Sequence, residues 1–308
     1  MAQPKDSILV TEATALATSA DDANALAARP DIWRRLGKTA RAQPVGVFGL
    51  FLTLVVVVIV IFGPYLATHE PDAETTNLLA SPSGEHWFGT DLKGRDYFSR
   101  TLAGGRITVT IAVVSLALGT AAGTLIGMVS AYVRFLDLLL QRLIDAILAL
   151  PGLFLILLFI TVFGKEVQIL IYVLALSVTP PLVRIARAAT LSTLTNPYVE
   201  AAEVVGASWL RILLRHVLPN IAPTVGTIFA VGVGNLMLVT GALGFLGLGV
   251  QPPQSEWGQM IANSRQYVAS ASHLFIYPAI GLALAVLGVN LLGDSLRDLW
   301  DPRLRGTT

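Results

Sequence analysis

Long apolar runs separated by short polar interludes set the plan of this chain. Residues 45–66 are apolar on every side, with Val47, Phe48, Leu50 and the run 54–62 offering no polar face to turn inward. A run of that length crosses a hydrocarbon layer roughly 30 Å thick, so it predicts a helix at the periphery of a bundle, facing lipid. A second run, 107–133, carries Gly119, Gly123 and Gly127 four residues apart, which puts them on one helix face where another helix can approach closely. Arg134, Asp137, Arg142 and Asp145 mark a short polar turn, with Asp145 paired to the nearby Arg142 at the membrane interface. A third span runs on through Pro151, where a kink is expected, to about residue 163. The fourth, 167–183, is interrupted at Pro180 and Pro181; the fifth, 221–250, ends in Gly241, Gly244, Gly247 and Gly249; the sixth is 274–292. The glycine series fits a narrow path and close helix packing equally well. The pattern predicts an all-α polytopic membrane protein of six transmembrane helices.

The polar interludes are as informative as the spans. Residues 1–43 are Ala-rich and polar and end in Arg34, Arg35, Lys38 and Arg41; they predict a tail, with Ile32, Trp33 and Leu36 suited to a short helix on the membrane surface. The apolar run that follows reads as a retained span, because a secretory signal has its apolar core much nearer the start. Residues 71–106 form a polar connection whose Asp and Arg residues can pair to order it. His86 and Asp91 within it are two candidate metal ligands without a third, and no metal site is assigned.

The stretch 196–220 stands out most. Asn196 can cap a helix that starts at Pro197, with Glu200 in the first turn, where the helix dipole favours an acid. Gly206 is the turn that ends it, and Ser208 can cap a second helix bearing Trp209, Ile212 and Leu213 on one side and Arg211 and Arg215 on the other, until Pro219 stops it. Ala202, Gly206 and Ile212 also fit the spacing of a helix-turn-helix. The second helix offers few basic or amide side chains, however, and the stretch is bracketed by spans, so no nucleic-acid partner is expected.

Composition agrees with the pattern: of 308 residues 54% are hydrophobic and only 13% charged, against about a quarter charged in soluble domains. The net charge of +1 points to no acidic partner. The absence of cysteine excludes disulfides and thiolate metal sites. No Gly-x-x-x-x-Gly-Lys-Ser/Thr phosphate loop occurs, so the chain should not itself bind ATP. Nothing in it suggests an intramembrane enzyme or the repeated buried charges of a proton-driven carrier.

Glu200-Ala201-Ala202, then Gly206 and Ala207, Arg211, and His216-Val217-Leu218-Pro219-Asn220 resemble the EAA loop of the membrane subunits of bacterial ABC importers, with the ending of the dipeptide, oligopeptide and nickel branch. His86-Trp-Phe-Gly-Thr-Asp91 with Gly94-Arg95-Asp96, the Pro252-Pro253 and Trp257-Gly258 pairs, and the segment from Asn290 to Arg305 are similar to further signatures of that branch. The resemblance covers about residues 45–305. It implies the type I (MetI-like) importer permease fold: a tail over 1–43, the first span and outer loop over 44–106, a permease core over 107–296 carrying the coupling loop at 189–220, and a tail over 297–308.

The resemblance further implies a non-catalytic subunit that pairs with a second permease, receives di- or oligopeptides from an extracytoplasmic solute-binding protein, and docks one or two ABC ATPases through Glu200 to Pro219. ATP and Mg²⁺ belong to those ATPases. A nickel or other small-solute importer is the alternative within the family, and an ion-gradient-driven carrier the alternative outside it. Six spans put both ends on one side. The excess of Arg and Lys in the tails and in the segments around Arg134, Arg184 and Arg211 makes that side the cytoplasm of a bacterial inner membrane, and the 196–220 stretch lies there too. No residue is assigned to solute binding.

Overall fold

The computed structural model describes residues 44–300. The N-terminal basic cluster, the surface helix expected near Trp33, and residues 301–308 lie outside that range. Among the described residues every regular element is helical, and the only pairing of extended backbone is an isolated bridge between Thr90 and Asp96.

The helices are α1 (Pro44–Leu66), α2 (Tyr97–Tyr132), α3 (Arg134–Leu148), α4 (Gly152–Phe163), α5 (Val167–Leu194), α6 (Pro197–Val204) and α7 (Trp209–Ile212). A single π turn, Leu213–Val217, carries α7 into α8 (Leu218–Phe245), and α9 (Trp257–Ser264) and α10 (His273–Trp300) complete the chain. Among the described residues, five stretches are long and apolar enough to cross a membrane: Pro44–Leu66, Tyr97–Tyr132, Val167–Leu194, Trp209–Phe245 and His273–Asp298. The pair α3 and α4, bent by 88° at the break, is a sixth candidate.

The boundaries differ from the sequence pattern in five places, each with a local cause. The second span begins at Tyr97 rather than 107, because Asp96 caps it: its Oδ2 accepts from the Ser99 N–H at 2.8 Å and from the Ser99 hydroxyl at 2.7 Å. The polar turn expected at 134–145 is instead the amphipathic helix α3. Phe135, Leu138, Leu139 and Leu143 are exposed along one face, and the other face sends Asp137 to Arg187 and Asp145 to Arg184 on α5. Asp145 therefore pairs across the fold and not with Arg142. The fourth span runs unbroken through Pro180 and Pro181 to Leu194; the two missing N–H groups free only the carbonyls of Leu176 and Ser177, and a helix held inside a bundle tolerates that. Pro219 does not stop α7, because the wider π turn just before it, where the Leu218 N–H reaches the Leu213 carbonyl, absorbs the lost bond. The last span continues to Trp300, past the boundary expected at 296.

Packing follows the glycines. A Cβ on Gly119 would meet Val178 and Ala175, one on Gly123 Leu182 and Thr179, and one on Gly127 Val183 and Ala186. The partner numbers rise together, so α2 and α5 lie parallel in one register, and this is the most extensive helix pair among the described residues. α10 runs antiparallel to α1, with Gly49 against Leu291 and Gly288 against Leu52, and to α8, where Gly234 makes room for the Asn290 side chain. α1 otherwise exposes Val45, Val47, Phe48, Leu50 and Phe51, as expected of a peripheral span.

Gly127→Ala tests the α2–α5 seam. Its Cβ would stand 2.7 Å from the Val183 carbonyl, 2.8 Å from Ala186 Cβ and 2.9 Å from the Arg187 nitrogen, atoms that cannot swing aside. We expect a loss of about 1–3 kcal/mol of stability, read from unfolding of the solubilised protein; an unchanged midpoint would contradict the seam.

At the end of the bundle where α2 begins, Asp91 accepts from the N–H groups of Lys93 and Arg95 and from the Arg95 side chain. The buried Arg100 reaches Asp72, the Pro71 carbonyl and, across the bundle, the Pro253 carbonyl. The Asp and Arg residues thus order this loop as expected. His86 bonds Asp96 and not Asp91.

Beside the loop sits α9, docked on the end of α8. A Cβ on Gly258 would fall 2.1 Å from the Gly241 carbonyl and one on Gly249 2.6 Å from the Gly244 Cα, so close packing accounts for Gly241, Gly244 and Gly249, while Gly247, with open space around it, serves the turn through its φ of +75°.

Candidate functional site

The stretch singled out by the sequence forms a knob at the opposite end of the bundle from α9. Pro197 occupies the first position of α6, where its missing N–H costs nothing. Asn196 stands at the cap position but makes no capping bond there; its Nδ2 donates back to the Thr193 carbonyl at 2.9 Å and closes α5 instead. Ser208 likewise precedes α7 without a side-chain cap.

Gly206 has a φ of +86°, the left-handed conformation that L side chains rarely adopt. The Gly206 N–H bonds the Glu203 carbonyl at 2.9 Å and the Ala207 N–H bonds the Ala202 carbonyl at 3.0 Å. Those two bonds are the paired closure that ends a helix at a left-handed glycine. The residue is exposed, and a Cβ there would meet nothing within 4 Å. Gly206 is therefore required for the path of the backbone and not for space.

The knob has a small core of its own. Val199 of α6, Ile212 of α7, Leu213 and Val217 of the π turn and Ile221 of α8 are buried together with Met128 of α2, and Tyr132, Ala189, Leu194 and Ala207 pack against them. Asn220 Nδ2 donates to the Tyr198 hydroxyl at 2.7 Å, and the His216 ring lies beside Tyr198, so both ends of the knob are stapled. Trp209, expected beside Ile212 and Leu213, is half exposed and meets Tyr132 at the rim.

Of the predicted site residues, Glu200, Ala201, Gly206, Arg211 and Pro219 are exposed, while Ala202, Ala207 and His216 are partly covered. Sequence reasoning missed Val204 and Val205, which are 83% and 87% exposed at the tip. Two adjacent bare valines just before a turn glycine were the available signal. The other omission is the continuity of α7 with α8, so that the knob and the fifth span share one helix axis interrupted only by the π turn.

A bundle of long apolar helices with a glycine-jointed, self-cored knob at one end is the architecture of a multi-pass membrane protein. Sequence comparison makes the assignment particular. Residues 123–306 match the family model described as "Binding-protein-dependent transport system inner membrane component", and residues 31–82 match "N-terminal TM domain of oligopeptide transport permease C". Similar proteins include the dipeptide transport system permease protein DppC of Alkalihalophilus pseudofirmus, 35% identical over 276 residues, covering 89% of this chain and 90% of that protein. The glutathione transport system permease protein GsiD of Escherichia coli O6:K15:H31 is 36% identical over 279 residues, covering 90% of this chain and 91% of that protein. The chain belongs to the family of inner-membrane permease subunits of binding-protein-dependent ABC importers. It is a non-catalytic, multi-pass inner-membrane subunit of a kind that works with a partner permease, ATPases and a binding protein.

Proposed function

We propose that the chain forms, with a second permease, the path for di- or oligopeptides delivered by a solute-binding protein, and that its Glu200–Pro219 knob is the coupling element that receives one or two ATPase subunits. The observation that carries this reading is the knob's construction. It has its own core, seated on the ends of α2 and α5 and continuous with α8, yet it presents Glu200, Val204 and Val205 outward. A push on such an element is passed to three spans at once, and that suits rigid-body switching of a two-state bundle. Peptide is favoured over nickel because the relatives' names refer to a dipeptide and to glutathione. The positive-inside pattern supports a cytoplasmic side for both termini and the knob, where ATP is available.

The chain has no cysteine, so Val205→Cys provides a unique thiol at the tip of the knob. Membranes holding the whole complex, treated with a short bifunctional thiol reagent after cysteines are introduced along the ATPase surface, should yield a permease–ATPase adduct. Absence of any adduct, together with uptake driven by an ion gradient in nucleotide-free vesicles, would replace this reading with a secondary carrier. Analysis of the small molecules on the co-purified binding protein separates peptide from nickel.

A further inference from the structure

The segment after α1 and the loop before α2 bring His69, Glu85 and His86 together at the end of the bundle away from the knob. Each offers one ligand atom, and the three atoms lie within 4.8 Å of one another; the imidazole rings are 4.8 Å apart centre to centre. Both rings are oriented from one carboxylate. His86 Nδ1 lies 2.9 Å from Asp96 Oδ1. His69 Nδ1 lies 3.1 Å from the Thr68 hydroxyl oxygen, and that hydroxyl donates to Asp96 Oδ2 at 3.3 Å. Ser99 joins the same network, donating to Asp96 Oδ2 and accepting the His69 backbone N–H at 3.1 Å.

Asp96 Oδ2 accepts the Ser99 hydroxyl at 2.7 Å and the Ser99 N–H at 2.8 Å. Asp96 is therefore an acceptor. Each imidazole then carries its proton on Nδ1 and keeps its Nε2 lone pair for another partner. Carboxylate or hydroxyl support behind the far nitrogen is how metal-binding histidines are fixed in tautomer and direction.

We propose that His69, His86 and Glu85 bind a divalent transition-metal ion of the imidazole-preferring class, zinc foremost, with water completing a tetrahedral shell. Zinc would draw its protein ligands to roughly 3.3 Å of one another. Glu85 is exposed and His69 partly so, which leaves both free to close that gap, while the buried His86 stays anchored to Asp96. The sequence pattern paired His86 with Asp91 and found no third ligand; the fold commits Asp91 to Arg95 and Arg100 and supplies His69 and Glu85 instead. A bound ion would clip the end of α1 to the capped start of α2. The site is independent of how the knob couples to its partners.

The test uses the full-length chain, purified in mild detergent through a histidine-free tag, stripped with chelator and titrated calorimetrically with zinc sulfate. About one zinc should bind per chain, with X-ray absorption reporting two imidazoles. His69→Gln and Glu85→Gln should each weaken binding by about tenfold or more, and Thr68→Val by about tenfold through the lost support, with metal-free unfolding unchanged in all three. Absence of saturable zinc binding, or binding indifferent to His69→Gln, would overturn the site.

Discussion

Gly206→Val should leave the protein inserted and folded, with ATP hydrolysis by the assembled importer no longer coupled to uptake. The Gly206 backbone is left-handed, and a β-branched residue there faces a torsional cost of about 1–2 kcal/mol although no atom obstructs its side chain. The strain is relieved by breaking the two closing bonds, Gly206 to Glu203 and Ala207 to Ala202, which swings α6 away from α7 and carries Glu200, Val204 and Val205 off their positions. The bundle does not depend on that turn, because the knob's buried residues Ile212, Val217 and Ile221 sit on the far side of it. Coupling energies between sites are about 1–3 kcal/mol, so losing most of one lowers uptake by about tenfold or more. Gly206→Asn is the control, since asparagine tolerates the left-handed region; it should keep most of the transport. Uptake and ATP hydrolysis measured on the same proteoliposomes decide the matter. Full uptake by the Val variant, or equal loss in the Asn variant, would show that the turn's geometry is not what couples.

Much of this molecule was legible because lipid imposes simple rules on sequence. The apolar runs located the spans, the four-residue spacing of Gly119, Gly123 and Gly127 located the α2–α5 seam, and the Asn196 to Pro219 segment located the knob. The differences have separate causes. The sequence pattern makes Pro180, Pro181 and Pro219 breaks by a rule that holds in water, where a freed carbonyl has solvent to turn to. Inside the bundle α5 has no such alternative and continues through Pro180 and Pro181, while at the exposed Pro219 the π turn takes up the lost bond and the helix runs on. Sequence proximity pairs Asp145 with Arg142, whereas the fold brings it to α5, whose Arg184 and Arg187 pin α3 by its acidic face. Asp96 was quoted as part of a motif, yet its capping of α2 through Ser99 was not read, because the apolar run begins only at Ile107 and the helix begins earlier. The Asp96 network also shows why His69 stayed invisible: the residues that orient it, Thr68 and Asp96, come from two ends of a long loop.

Trp257→Ala should be the most destabilising single truncation, at about 3–5 kcal/mol. Trp257 is 1% exposed and holds α9 to two spans. Its ring lies in a slot made by absent side chains: a Cβ on Gly105 of α2 would fall 2.4 Å from Cζ2, and one on Gly281 of α10 would fall 3.0 Å from the same atom. The indole N–H donates to the Thr101 carbonyl at 2.8 Å, and the Trp257 backbone N–H to the Thr108 hydroxyl at 3.2 Å. The preceding residue extends the anchor. Glu256 caps α9 by accepting from the Gly258 and Gln259 N–H groups, and it accepts from the Thr108 hydroxyl as well; burial pushes its carboxyl up despite those three donors. Alanine at 257 keeps the Glu256 cap but opens a cavity the glycine walls cannot close, since Gly105 and Gly281 have no side chains to relax into it. The Thr101 carbonyl also loses its donor. Denaturant unfolding of the solubilised chain measures the loss, and Trp257→Phe separates its two parts: the ring volume is largely restored while the indole donor stays absent, so about 1 kcal/mol should remain lost. A loss under about 1 kcal/mol for Trp257→Ala would mean that α9 is held by its backbone approach to Gly241 and its bonds to Thr108, and the slot would then be a consequence of the packing and not its cause.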